Sequence, residues 1–173
     1  VFLEEMNKNK LDISKLKDKE EEVIRSEERL KEAQEIAKVG QWELDLQTNH
    51  LFWSPGVFKI FEIDATQFDA SYEAFLETIH PDDRNMVNRA YTESLASGAA
   101  YEIGHRLLMP DGRIKYVREA CRHQLDEHGT PVRSIGIVQD ITNIKASEQA
   151  LKSSEERFKS LVESSNDMIW EID

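Results

Sequence analysis

The chain has 173 residues, 32% of them charged, and a formal net charge of −12. That length holds one core of ordinary size plus extensions. No stretch is basic, which excludes a nucleic-acid backbone as partner, and no apolar run nears the roughly 18 residues of a membrane span, so no membrane contact is expected within it.

The single cysteine, Cys121, rules out an internal disulfide and a multi-thiolate metal site, and it suits a reducing cytoplasm. The chain starts at Val1 without a signal peptide and reads as a slice of a longer protein, whose membrane anchoring stays open.

Residues 1–37 lack proline and glycine and are rich in Glu and Lys. One heptad frame holds Phe2, Asn9, Leu16, Val23, Leu30 and Ala37, and its companion holds Met6, Ile13, Glu20, Glu27 and Gln34. A helix with so narrow a stripe cannot bury itself in a globule. Leu16, Val23 and Leu30 are therefore expected to form the seam of a parallel coiled coil in a homodimer. At ~1.5 Å per residue such a helix extends about 55 Å.

Gly40 is expected to break this helix. Trp42, Leu44 and Leu46 then alternate with Glu43, Asp45 and Gln47, the period of a half-buried strand. Thr48-Asn49-His50 turns the chain and Leu51-Phe52-Trp53 pairs back. Ser54-Pro55 supplies an N-cap and a first helical residue for a short helix through Val57, Phe58, Ile60 and Phe61. Ala74, Phe75, Leu76 and Ile79 predict a second short helix. His80-Pro81-Asp82-Asp83 opens a third, which buries Val87, Ala90, Tyr91, Ser94 and Leu95 and ends at Gly98.

From residue 101 the period returns to two. Tyr101, Ile103, His105, Leu107 and Met109 share one strand face, and Pro110-Asp111-Gly112 is a turn. A strand of about twelve residues follows, and His128-Gly129 turns again before Val132–Gln139. The expected fold class is α+β: a five-stranded antiparallel sheet with helices on one face, flanked by long N- and C-terminal helices.

From Thr142 the pattern is helical again. Ile144, Leu151 and Phe158 fall seven apart and continue the coiled-coil seam. Asp140 and Thr142 bracket the strand-to-helix junction, where either side chain can accept from the new helix's unpaired amides, with Ile141 packed inward between them. Residues 26–45 and 154–173 agree at nine of twenty positions: Ser26/Ser154, Glu27/Glu155, Glu28/Glu156, Arg29/Arg157, Lys31/Lys159, Glu35/Glu163, Trp42/Trp170, Glu43/Glu171 and Asp45/Asp173. An offset of 128 residues is a domain-sized period, so residues 166–173 are expected to begin a second unit of a tandem array. The segments are thus a 1–37 helix, a 38–142 domain, a 143–165 helix and the truncated start of a repeat.

Several short motifs, in their order and spacing, resemble the PAS sensor domain of bacterial sensor histidine kinases and cyclic-di-GMP enzymes. They are Gly40-Gln41-Trp42-Glu43-Leu44-Asp45, Phe52-Trp53-Ser54, His80-Pro81-Asp82-Asp83-Arg84, His105-Arg106 ahead of Pro110-Asp111-Gly112, and Gly136-Ile137-Val138-Gln139-Asp140-Ile141-Thr142. The likeness covers about residues 28–145. It implies strand order 2-1-5-4-3, a cavity between helices and sheet, and a signal leaving through the helix after Asp140, Ile141 and Thr142.

The pocket candidates are His105, with Ile103 and Leu107 on its strand face, and Phe58 and Phe61 from the first short helix. The cofactor stays open: none is the simplest reading, and a small-molecule ligand, haem or flavin are the alternatives. Light-sensing flavin relatives place a cysteine in the helical region, whereas Cys121 lies in the long strand. Haem-binding relatives place an axial histidine in the helix after His80-Pro81-Asp82-Asp83, and residues 85–98 contain none.

No catalytic motif or metal site is expected. Cys121 and His123 share a strand face but offer two ligands, too few for zinc, and that face is expected to be solvated. The expected function is a non-enzymatic sensory module. It would dimerise and relay a change through its C-terminal helix to an adjacent PAS repeat and a downstream histidine kinase or diguanylate cyclase. A ligand-free dimerisation spacer and a haem or flavin redox sensor are the alternatives.

Overall fold

The computed structural model describes the backbone of residues 2–66, 68 and 70–167, and the side chains of residues 14–66, 68 and 70–163. The elements run α1 (Phe2–Ile36), β1 (Val39–Asp45), β2 (His50–Trp53), α2 (Pro55–Phe61), α3 (Tyr72–Thr78), α4 (Pro81–Ser97), β3 (Tyr101–Leu108), β4 (Ile114–Leu125), β5 (Pro131–Asp140) and α5 (Thr142–Asp167). All strand pairings are antiparallel, in the order β2-β1-β5-β4-β3 that the resemblance implies. The repeat's Trp170, Glu171 and Asp173 lie outside the described residues, as do the side chains of Phe2, Met6, Asn9 and Ile13.

The period-two segments bury alternate residues. Leu44 from β1, Leu107 from β3, Val117 from β4 and Val138 from β5 meet Val57, Ile60 and Phe61 of α2 and Val87 and Tyr91 of α4 in one core. Ile79, just past α3, is fully buried, though α3 itself buries no residue completely. The turns are built as their residues dictate: Asn49 sits at φ 55, Gly112 at φ 85 and Gly129 at φ 80, the left-handed region glycine enters without penalty. Gly98 closes α4 at φ 68.

Gly40 does not break the first helix. Helix α1 ends at Ile36, and Lys38 makes the reversal at φ 50, its amide bonded to Glu35 O. Gly40 lies inside β1 because α2 passes so close that a Cβ there would overlap the Val57 amide nitrogen. Gly136 of β5 answers a similar constraint. It pairs with Trp42 of β1, and the Trp42 indole lies in the space a Cβ would fill.

The flanking helices contribute little to this core. Leu16 is 66% exposed, Leu30 60%, Leu151 62% and Phe158 70%, so the heptad seams lie uncovered along both rods.

Replacing Gly136 by alanine is expected to push the Trp42 ring aside and destabilise the domain by about 1–3 kcal/mol, the usual cost of overpacking. At Gly104 an added Cβ would meet Val117 O at 3.8 Å, an ordinary contact. Gly104→Ala should therefore change stability by well under that, within about 0.5 kcal/mol. Urea melts followed by tryptophan fluorescence check both.

Candidate functional site

The inner face of the sheet carries more polar groups than a simple core requires. Glu119 of β4 is 2% exposed, and its neighbours on the same face are Val117 and Cys121. Its Oε1 accepts from the Tyr101 hydroxyl at 3.5 Å, and its Oε2 lies 3.3 Å from His105 Nε2. The other ring nitrogen of His105, Nδ1, is buried without a hydrogen-bond partner. Beside this pair lies a cavity of about 20 Å³, room for about one water molecule. Glu119 supplies polar lining; Trp42, Trp53, Phe61, Tyr72, Phe75 and Tyr91 are among its walls.

Of the predicted pocket residues, Phe61 lines this cavity. His105 stands one contact behind it, through Glu119, with its ring edge-on to Phe75 at 6.2 Å. Leu107 is fully buried away from it, Ile103 is half-buried, and Phe58 packs edge-on against Trp53 at 5.4 Å. Sequence reasoning missed Glu119 and Tyr101. The signal was present, since a two-residue step from Val117 and from Cys121 places residue 119 on the core side, and residue 101 shares a face with His105.

With its walls as they stand, this site fits neither haem nor flavin. Small-molecule pockets commonly enclose about 300–1,000 Å³, far more than this cavity. The one histidine beside it is engaged by Glu119. Cys121 is buried on β4, and burial, reinforced by the charge of Glu119, pushes its thiol up to about 12, away from thiolate chemistry.

A second polar chain runs through the core beside the first and corrects the expectation that Cys121 and His123 share a solvated face. Cys121 is 4% exposed, and both His123 nitrogens face the helical layer or β5. Ser94 of α4 donates to Ala99 O, so its oxygen accepts from His123 Nε2 at 2.6 Å. His123 Nδ1 then accepts from Ser134 Oγ at 3.0 Å, and Ser134 accepts from the Tyr91 hydroxyl at 3.0 Å. This arrangement of protons satisfies every group with the imidazole neutral. Burial lowers the His123 pKa in keeping with it, and burial also pushes Tyr91 up to about 12. Among the described residues no three His, Cys, Asp or Glu side chains are placed to hold a metal ion.

The His80–Arg84 cluster is a staple between α4 and β3. His80 Nδ1 accepts weakly from the Asp82 amide at 3.4 Å, the only capping bond its side chain makes there. Asp83 turns across to β3, where it accepts from the Arg106 amide and Nε at 2.9 Å and from Nη2 at 2.6 Å. That guanidinium holds the Asp83 carboxyl down at about 2. Arg84 donates to the carbonyls of Ile79 and Glu77.

At the same end of the sheet, two strands in from β3, β5 passes into α5 across the single residue Ile141. Asp140 Oδ1 accepts from the Thr142 amide at 2.9 Å and so caps the helix. The Thr142 hydroxyl turns back instead to β4, accepting from the Tyr116 amide at 3.0 Å, and Ile141 N donates to Tyr116 O at 2.9 Å. Asp140 N donates to Lys38 O at 3.1 Å and Gln139 Nε2 to Ala37 O at 3.2 Å, so the end of α1 is tied to the same spot.

An antiparallel sheet in 2-1-5-4-3 order, covered by short helices around a small apolar cavity and flanked by two long helices, defines the class of small α+β sensor-type domains. The PAS fold family matches residues 50–138, more than half of the chain, and the chain belongs to that family. It is 28% identical over 162 residues to the probable diguanylate cyclase DgcE of Escherichia coli K12, covering 94% of this chain and 14% of that protein. It is 32% identical over 135 residues to the sensor protein FixL of Bradyrhizobium diazoefficiens, covering 78% of this chain and 26% of that protein.

Among solved structures it resembles a sensory box histidine kinase/response regulator from Burkholderia thailandensis, with a TM-score of 0.61 and 26% identity. That match covers 76% of this chain and 98% of the solved one. The chain thus spans between a seventh and about a quarter of the two curated relatives. No helix among the described residues is long and apolar enough to cross a membrane.

Two measurements follow from the core. A histidine whose folded pKa is depressed contributes full stability above its unfolded pKa of about 6.5, and that contribution declines as pH falls below it. The melting temperature is therefore expected to drop between about pH 7.5 and 5.5 more steeply in the parent than in His123→Gln, which keeps one donor and one acceptor. The other four histidines are common to both proteins and cancel in the comparison. Cys121 should resist a thiol-reactive disulfide reagent in the native protein and react fully once urea unfolds it.

Proposed function

We propose that the chain is a signal-relay module. Two copies pair in parallel through the Leu16, Val23, Leu30 seam of α1 and the Ile144, Leu151, Phe158 seam of α5. A cavity ligand, or the state of an adjacent PAS repeat, shifts β5 and re-aims α5 toward a downstream histidine kinase or diguanylate cyclase in the cytoplasm. What supports the reading is the junction: one residue separates the central strand from the outgoing helix, and the Asp140, Ile141 and Thr142 hydrogen bonds tie that helix to β4 and to the end of α1. The exposure of both seams supports pairing, since apolar stripes of this spacing need a partner. The family relatives named as a sensor and a probable diguanylate cyclase support the output assigned here.

The relay demands differential energy. Moving a two-state balance from 1:99 to 99:1 takes about 5.5 kcal/mol of preference for one state. The small cavity favours a second reading, a ligand-free dimerisation spacer with a filled core.

Sedimentation equilibrium and spin labels at Gln149 test the two together, and the unreactive Cys121 leaves the labelling site unique. The expected result is a dimer with one label-to-label distance, which broadens or shifts in Thr142→Val while the melting temperature changes little. A monomer at high concentration overturns the pairing, and an unchanged distance in Thr142→Val leaves the spacer as the better description.

A further inference from the structure

Glu119 is the only Asp or Glu among the described residues that is buried. A buried carboxylate is costly unless donors surround it, and its two contacts are long: 3.5 Å from the Tyr101 hydroxyl and 3.3 Å from His105 Nε2. Strong bonds to a carboxylate run nearer 2.7–2.9 Å, roughly, and it has about four lone-pair sites to fill. Beside it, His105 Nδ1 is a buried polar atom without any hydrogen-bond partner. The core therefore holds a set of acceptors short of donors, at the wall of a cavity.

The remaining walls sharpen the chemistry. Trp42, Trp53, Phe61, Tyr72, Phe75 and Tyr91 face the same space. Aromatic faces are electron-rich and attract ammonium groups, while offering a neutral polar ligand little beyond contact. An anion would meet Glu119 head-on. A wholly apolar ligand would leave the carboxylate as it stands.

Resting on the sensory reading above, we propose that this cavity binds a small organic cation of the alkylammonium class. The ammonium N–H groups donate to Glu119, and the carbon body lies among the rings. His105, through Nε2, and Tyr101, through its hydroxyl, hold the carboxylate toward the ligand as positioning residues. At about 20 Å³ the cavity takes one water-sized group, so the carbon body enters by displacing a wall. Helix α3 is that wall. It supplies Tyr72 and Phe75, buries no residue fully, and is joined to α4 by the exposed Tyr72–Asn88 bond.

The test is a titration of the full chain with ethylammonium chloride, with ethanol as the neutral analogue and sodium chloride as the ionic-strength control. The signals followed are the indole N–H resonances of Trp42 and Trp53. A cation of three heavy atoms binds at best in the millimolar range.

The expected result is a saturable shift of both indoles with ethylammonium and none with ethanol or sodium chloride. In Glu119→Gln the affinity for ethylammonium is expected to fall about tenfold or more, the value of a charge-assisted bond. No saturable shift in the unaltered protein, or an equal response to ethanol, overturns the proposal. So does a folded Glu119→Gln protein that responds in full. If that variant fails to fold, the ethylammonium–ethanol comparison on the unaltered protein decides alone. The dimer and spin-label measurements stand apart from this one, so absent amine binding with an intact Thr142→Val response overturns the ligand class and leaves the relay.

Discussion

Strand β5 lies between β1 and β4 and is hydrogen-bonded along both edges, so it is the strand that joins the two halves of the sheet. Its inward residues are Ser134, Gly136 and Val138, and each answers a different neighbour. Ser134 closes the Tyr91–His123 chain of hydrogen bonds, Gly136 makes way for the Trp42 indole, and Val138 lines the cavity. Its last residue, Asp140, then caps α5. The cavity wall, the polar core and the indole pocket thus all meet one strand, and that strand ends where α5 begins.

The two buried polar sets divide the core between them. Glu119, His105 and Tyr101 gather near the cavity, with long bonds and an unsatisfied ring nitrogen. Tyr91, Ser134, His123 and Ser94 form a closed chain in which every proton has a destination. Fully satisfied networks rigidify a core, whereas a buried polar group left without a partner is costly in the same low dielectric. The first set has the features of a recognition element, and the second those of a fastener between α4 and the sheet.

Much of the fold was legible because it rests on local periods. Trp42 and Leu44, or His105 and Leu107, announce their strands by alternation, and Pro110-Asp111-Gly112 announces its turn. What failed was anything set by partners distant in sequence. Gly40 looked like a helix breaker, but its requirement is the backbone of Val57 across the sheet–helix interface. Asp83 looked like a helix-dipole residue, while its energetics belong to Arg106, 23 positions away. Cys121 and His123 looked solvent-facing because two polar-looking side chains in a charged strand carry no sign of the helical layer above them. Glu119 was overlooked for a related reason: a carboxylate reads as surface until its strand's phase is fixed by Val117 and Cys121. The site is less legible than the fold because burial of a polar group is decided by its surroundings and not by its own chemistry.

The pairing of Val39 with Gln139, and the bond from Asp140 to Lys38, bring the domain's entrance and exit to adjacent strands, about 4.8 Å apart. The globular part is therefore a pendant on its own neck. Such a unit can be spliced into a helical shaft, or cut out of it, with the severed ends already side by side. Chains assembled from beads of this kind can lengthen by whole beads without redesigning the shaft.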